Sequence, residues 1–248
     1  MIAFIGFYFS HDKNIHNNTG YHDSIISFLN KIDNVYFVME KDTYDSIQDK
    51  IKNIDNKSRI IIMDYEDTYT FSKFNTLLDI NTTSYSNNME DIKKSFIIWH
   101  FKFELIEIVR KHLPINISHI CYLDAGIFRP ERYTYIEEFE KSGFKIVDLN
   151  DIMINYTLYQ MQIDIDIDRL INYGDHEIGC NHFVFDVSII NKLHIDYFIK
   201  LYDLISKKIN TTEQRVFTLL IREYFKLNSK NITMKQIDSS YKVCLHSE

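Results

Sequence analysis

The sequence is poor in residues that punctuate or cross-link a chain: of 248 residues, two are proline, six glycine and three cysteine. Cys121, Cys180 and Cys244 are odd in number, widely spaced and outside any Cys-x-x-Cys pair. Neither a disulfide framework nor a zinc knuckle is expected, and a reducing cytoplasmic setting fits best. No apolar run approaches the roughly 18 residues that a membrane span needs. The opening MIAFIGFYF has no basic n-region and runs straight into polar SHDKN, so it reads as a first strand and not as a leader. Lysine and arginine are dispersed and the formal net charge is -7, which excludes nucleic acid as an expected partner. Missing too are GxxxxGK[ST], GxGxxG, GxSxG and HExxH, so nothing points to a Walker NTPase, a dinucleotide-dependent dehydrogenase, an elbow-type serine hydrolase or a zincin.

What is present is an ordinary globular composition, 45% hydrophobic and 25% charged, sufficient for one sizeable core. The first half alternates regularly. IAFIGFYF (residues 2–9) reads as a buried strand, and Tyr21, Ile25, Phe28, Leu29 and Ile32 recur at helical spacing. NVYFVM (34–39) is a second strand, 44–54 an amphipathic helix with Ile47, Ile51 and Ile54 on one face, and RIIIM (59–63) a third strand ending at Asp64. Phe71, Phe74, Leu77 and Leu78 predict a short helix before NTTSYSNN, the expected mobile loop. Residues 91–112 carry Ile92, Phe96, Trp99, Phe103, Ile106 and Val109 at helical intervals and lead into HICYLDAGIFR.

The second half is less regular. A helix is expected over 133–141 with Gly143 ending it, then a short strand FKIVDL (144–149). MQIDIDIDRL alternates strictly and reads as a solvated edge strand, its three aspartates sharing the outer face. CNHFVFDV (180–187) is a strand, followed by helices over 188–208 and 211–226, with short strands at 231–237 and 241–245. Repeated βαβ units predict an α/β protein with a mostly parallel sheet covered by helices on both faces.

The quoted strand poses the chemical question. Its apolar run stops at a carboxylate, Asp124, then passes through Ala125 to Gly126. An unpaired buried carboxylate is costly, so Asp124 is expected where the strand emerges, the end at which open α/β sheets bind ligands. There it could ligate a hard divalent cation or accept from a ribose hydroxyl, with Gly126 letting another chain approach closely. The plain alternative is an Asp capping a turn beside a glycine of positive φ.

The helix FKFELIEIVRKHL, the segment YLDAGI within HICYLDAGIFR, and the later NTTEQRVFTLLI together resemble the HtrL/YibB-like family and, more distantly, nucleotide-diphospho-sugar transferases of the GT-A fold. The resemblance spans most of the chain as a pattern. It implies a GT-A-like, Rossmann-like sheet in a single domain over 1–248, with a nucleotide-donor half in 1–130 and an acceptor half in 131–248. It implies a donor site at Asp124, Ala125 and Gly126, where Asp124 matches the first carboxylate of the usual DxD and Gly126 replaces the second. Lys102 would meet the diphosphate or ribose. Tyr8 and Ser10, at the exit of the first strand, would lie by the base, with Asp64 a weaker candidate of the same kind. A divalent cation, Mn²⁺ or Mg²⁺, would be held by Asp124 and completed by His246 near the C-terminus. Glu213 and Gln214 match the family's Glu-Gln pair at the acceptor or reacting sugar, although Asn210 and Glu213 also form a capping-box-like helix start. His182, beside HFVF, is a further candidate for the acceptor pocket.

The function implied is transfer of a sugar from a nucleotide-sugar donor, a UDP-sugar first, to a glycan or small acceptor, as in polysaccharide biosynthesis. The alternative is a non-catalytic nucleotide- or glycan-binding module on the same fold, which the missing second carboxylate favours.

Overall fold

Among the described residues seven strands form the sheet: Ile2–Tyr8 (β1), Val35–Met39 (β2), Arg59–Ile62 (β3), His119–Leu123 (β4), Ile152–Thr157 (β5), Ile178–Asp186 (β6) and Ile232–Ile237 (β7). The computed structural model describes residues 1–10, 18–51, 58–77, 89–146, 148–157, 178–209 and 212–237. The strand order is β3-β2-β1-β4-β6-β5-β7. Within this sheet β6 alone runs against the other six, pairing antiparallel with both β4 and β5. The mostly parallel α/β sheet expected from the sequence, and implied by its GT-A-like resemblance, is the one observed. Strands from both sides of residue 130 share it.

Helices cover both faces: Asn18–Lys31 (α1), Lys41–Ile47 (α2), Tyr69–Phe74 (α3), Met89–Arg110 (α4), Tyr133–Lys141 (α5), Ile190–Ser206 (α6) and Glu213–Asn228 (α7). β1 shows why. Ala3, Ile5 and Phe7 enter one core with Phe74, Phe101, Leu193 and Phe217 of α3, α4, α6 and α7. Phe4 and Tyr8 enter the other with Phe28, Ile47 and Phe139 of α1, α2 and α5. Every residue of β2 and of β4 is buried, as a strand covered on both faces requires.

The central helix is α4, buried continuously from His100 to Glu107, so its polar side chains must be partnered. Each finds a different neighbour. His100 meets the Tyr197 hydroxyl on α6. Glu104 accepts from the Tyr69 and Thr70 amides and the Thr70 hydroxyl, closing the start of α3. Lys102 reaches α7, as described below.

The structure departs from the sequence reading in the second half. No strand forms among the described residues of 144–149. Phe144 takes a φ of 56° and Asp148 a φ of 51°, and an extended run cannot carry left-handed residues at both ends. The Phe144 amide instead donates to Phe139 O at 2.9 Å, closing α5 beyond Gly143, whose φ is +69°. The strand begins later, as β5. The 44–54 helix is also displaced, with α2 ending at Ile47 and a 3-10 turn over Gln48–Lys50. Ile54, Leu78, NTTSYSNN, MQIDIDIDRL, the Asn210 cap, 241–245 and His246 lie outside the described residues. No described helix is long and apolar enough to cross a membrane.

From β1 the chain continues outward to β2 and β3, whereas β4 lies on the opposite side of β1. The order reverses between β1 and β4, and the crevice at the carboxyl ends of those two strands is where doubly wound sheets take ligands.

Candidate functional site

Asp124 follows β4 directly, at that crevice. Its amide donates to Asn181 O on β6 at 2.8 Å, which fixes the exit of the strand. Its side chain remains 22% exposed, and Oδ1 accepts from the Gly126 amide at 2.8 Å and lies 3.4 Å from Arg132 Nη1. Asp124 is therefore a turn cap and a partly solvated carboxylate together. Among the described residues Oδ2 takes no hydrogen bond.

The turn is held from below by a residue the sequence did not single out. Ser24 of α1 is buried; its hydroxyl donates to Ala125 O at 2.6 Å and accepts from the Phe128 amide at 3.0 Å. Ala125 is buried as well, so it contributes a fixed backbone. Gly126 has no positive φ, contrary to the plain alternative. Space is what it supplies, because a Cβ there would stand 2.9 Å from Tyr21 Cε1, 3.1 Å from Asp124 Oδ1 and 3.3 Å from Arg129 Nε.

Those neighbours complete the crevice wall. The Arg129 guanidinium lies over the Tyr21 ring, 4.6 Å from its centroid, and Tyr21 in turn packs on Tyr8 with centroids 5.3 Å apart. Burial, then the nearby Asp124 carboxylate, raises the Tyr21 phenol above its ordinary pKa, while Arg129, Arg132 and Lys102 pull it down. Tyr8 is pushed up to about 12 by burial, with Tyr21 and Glu40 adding to it. Ser10 sits at the exit of β1, its amide donating to Glu40 Oε2 at 2.7 Å. Tyr8, Ser10 and Asp124 thus share the switch-point end of the sheet. Asp64 follows β3 at the same end of the sheet, but at the far edge, separated from β1 by β2.

Lys102 and Glu213 come together inside the protein. Lys102 Nζ is 2.7 Å from Glu213 Oε1 and donates to Cys180 O at 3.2 Å, with both side chains 7% exposed. Burial works against the ammonium. The Glu213 carboxylate, with Tyr122, Cys180 and Asp124, nonetheless raises its pKa above the ordinary lysine value and keeps it charged. Gln214 stands next in α7 and is half-buried. His182 is sealed beside Leu123 of β4, and burial lowers its imidazole to about 3.

A divalent cation asks for several oxygen or imidazole ligands. Among the described residues no group of three or more His, Cys, Asp and Glu side chains is placed to hold one. Asp124 offers one carboxylate, whose Oδ1 already faces a guanidinium. Among the described residues Asp124 is thus the one expected ligand of a divalent cation that can be placed, because His246 lies outside them.

Of the residues singled out in the sequence, Asp124 and Gly126 share one turn and Lys102 and Glu213 form one pair. Tyr21, Ser24, Arg129 and Arg132, which surround that turn, were not singled out as site candidates. The two arginines were visible three positions apart just after the DAG turn, but only the fold shows that Arg132 turns back onto Asp124 and Arg129 onto Tyr21.

No known family model matches the chain, and no curated protein is similar to it in sequence. Solved structures with a similar chain course include mouse xyloside xylosyltransferase 1, at 13% identity and a TM-score of 0.48, covering 94% of this chain and 84% of that one. Another is 4-diphosphocytidyl-2C-methyl-D-erythritol synthase from Anaerococcus prevotii, at 14% identity and 0.44, covering 99% and 93%. A Mycobacterium tuberculosis protein in complex with manganese shows 7% identity and 0.39, covering 96% and 89%. These likenesses are too distant to assign chemistry to any residue here.

Proposed function

We propose that this chain is a glycosyltransferase that moves a sugar from a nucleotide-sugar donor, a UDP-sugar, to a glycan or small acceptor. The observation that carries the reading is Asp124, a partly exposed carboxylate at the carboxyl end of β4, beside the switch point and within a cationic, aromatic wall. Asp124 Oδ2 accepts from the donor ribose, and the Tyr8–Tyr21 side of the crevice receives the base.

Transfer forms a bond from an acceptor oxygen to the anomeric carbon and breaks the bond from that carbon to the β-phosphate oxygen. The nucleoside diphosphate leaves with the bonding pair, and the hydroxyl proton passes to the diphosphate or to water. Glu213, already holding the Lys102 ammonium, is a weak base in this arrangement. It serves to position Lys102 and the start of α7, leaving Gln214 to contact the acceptor or sugar.

The test is release of UDP from a panel of UDP-sugars by the full chain and by Asp124→Asn, which keeps the acceptor for the Gly126 amide. Turnover with at least one donor is expected, falling about 100-fold or more in the variant. Binding without turnover for any donor and acceptor would support a non-catalytic nucleotide-binding module, the reading that the occupied Glu213 carboxylate favours. No nucleotide binding at all contradicts both.

A further inference from the structure

Glu40 places a carboxylate on the Tyr8–Tyr21 side of the crevice, and the fold uses one of its two oxygens. It follows β2 directly, and the pairing of Tyr8 with Met39 sets it beside the exit of β1. Its Oε2 accepts from the Ser10 amide at 2.7 Å, while Oε1 takes no hydrogen bond among the described residues. Glu40 stands at the start of α2, yet its side chain makes no capping hydrogen bond there. Lys41, the next residue, pairs with Asp45, and among the described residues no cation pairs with Glu40. The side chain is only half-buried, but the Ser10 contact holds it in one orientation, so Oε1 is positioned in advance of any ligand. Beside it lies an aromatic wall: Tyr8 packs on Tyr21 at 5.3 Å and meets the His22 ring edge-on at 6.1 Å between centroids. Burial, then Tyr21 and Glu40, raise the Tyr8 phenol, so it stays a neutral hydroxyl near this carboxylate.

Resting on the donor-site reading above, we infer that Glu40 selects the base of the donor nucleotide, its Oε1 accepting from the N3–H of uracil with the Tyr8, Tyr21 and His22 rings supplying the apolar side of the pocket. An ionised carboxylate accepts hydrogen bonds and cannot donate them. One open oxygen calls for one N–H, and uracil carries a single N–H on its pairing edge, between its carbonyl groups. Guanine offers adjacent N–H groups that suit a carboxylate with both oxygens open, whereas Oε2 is already held by Ser10. Cytosine presents a bare N3 whose lone pair the carboxylate repels, so a cytidine nucleotide is disfavoured in the same pose. A hydrogen bond to a charged acceptor belongs to the stronger class, and a site built around one rejects an analogue that lacks the donor. Glu40 thus supplies, from this chain's own residues, a physical ground for a uridine nucleotide over other bases.

Calorimetric titration of the full chain, in excess Mn²⁺, with UDP, CDP and UDP methylated at uracil N3 tests this. UDP is expected to bind about tenfold or more tighter than either analogue, because methylation removes the N3 donor and cytosine replaces it with an acceptor. In Glu40→Gln the side-chain carbonyl oxygen keeps the Ser10 amide and the NH₂ group turns to the base, where it donates to cytosine N3 and opposes uracil N3–H. The preference for UDP over CDP should therefore fall about tenfold or more in that variant. The comparison of UDP with its analogues uses the unaltered chain and so stands even if the variant folds poorly. Equal affinity for UDP and its N3-methyl form, or a UDP preference over CDP that Glu40→Gln leaves unchanged, overturns the inference and leaves the donor site standing. No binding of any of these nucleotides overturns the donor site itself.

Discussion

Lys102 of α4 and Glu213 of α7 meet at 2.7 Å with both side chains 7% exposed, so two charges separated by 111 positions in the chain neutralise each other within the larger core. Removing one leaves the other buried without its partner. Lys102→Met or Glu213→Gln is expected to cost about 3–5 kcal/mol in urea denaturation, whereas the double change Lys102→Met with Glu213→Leu recovers most of it. Additive losses in the double variant would show that the pair does not act as a unit.

Gly126→Ala tests whether the crevice wall is as crowded as its geometry indicates. The new methyl would stand 2.9 Å from Tyr21 Cε1 and 3.1 Å from Asp124 Oδ1. Because the backbone φ is permissive, the expected cost is overpacking, about 1–3 kcal/mol in stability. UDP affinity should fall with it. Unchanged melting and unchanged affinity would mean that Tyr21 moves aside freely.

Ser24→Ala removes two hydrogen bonds that hold the Asp124 turn to α1, the donation to Ala125 O and the acceptance from Phe128 N. A loss of about 1–3 kcal/mol is expected. Hydrogen exchange of the Phe128 amide should rise more than that of amides in β1. Uniform acceleration across the chain would place the effect elsewhere.

His182 gives stability a pH dependence. Burial lowers its imidazole from the ordinary 6.5 to about 3, so the folded chain keeps it neutral where the unfolded chain protonates it. The unfolded state binds more protons below pH 6.5, and stability therefore rises with pH through that window. The contribution is fully present above pH 6.5 and is lost toward pH 3 at up to about 1.4 kcal/mol per pH unit. Denaturation at pH 7.5 and pH 5 should show a clear loss in the parent chain and a smaller one in His182→Gln. Equal slopes would contradict this origin.

The sequence was most informative where local pattern and tertiary demand agree. β1, β2 and β4 are apolar throughout because both faces are covered, and the Asp124 turn was visible because a carboxylate stands at the end of such a run. β5 was missed because 144–149 looks just as apolar, yet the closure of α5 places Phe144 in the left-handed region and consumes that stretch. The reversal of β6 leaves no mark in residue pattern, since buried strands read alike in either direction. Ser24, Tyr21 and Arg129 escaped notice for a related reason: Ser24 and Tyr21 reach the Asp124 turn across about 100 residues of chain, and no periodicity encodes a contact between the start of α1 and the exit of β4. Lys102 and Glu213 were each singled out, but only the packing of α4 on α7 shows that they face each other.

The most direct measurement is a crystal structure of the full chain with UDP. The account predicts the nucleotide at the carboxyl ends of β1 and β4, with its ribose within hydrogen-bond distance of Asp124. A nucleotide bound anywhere else on the protein, with Asp124 untouched, would contradict it.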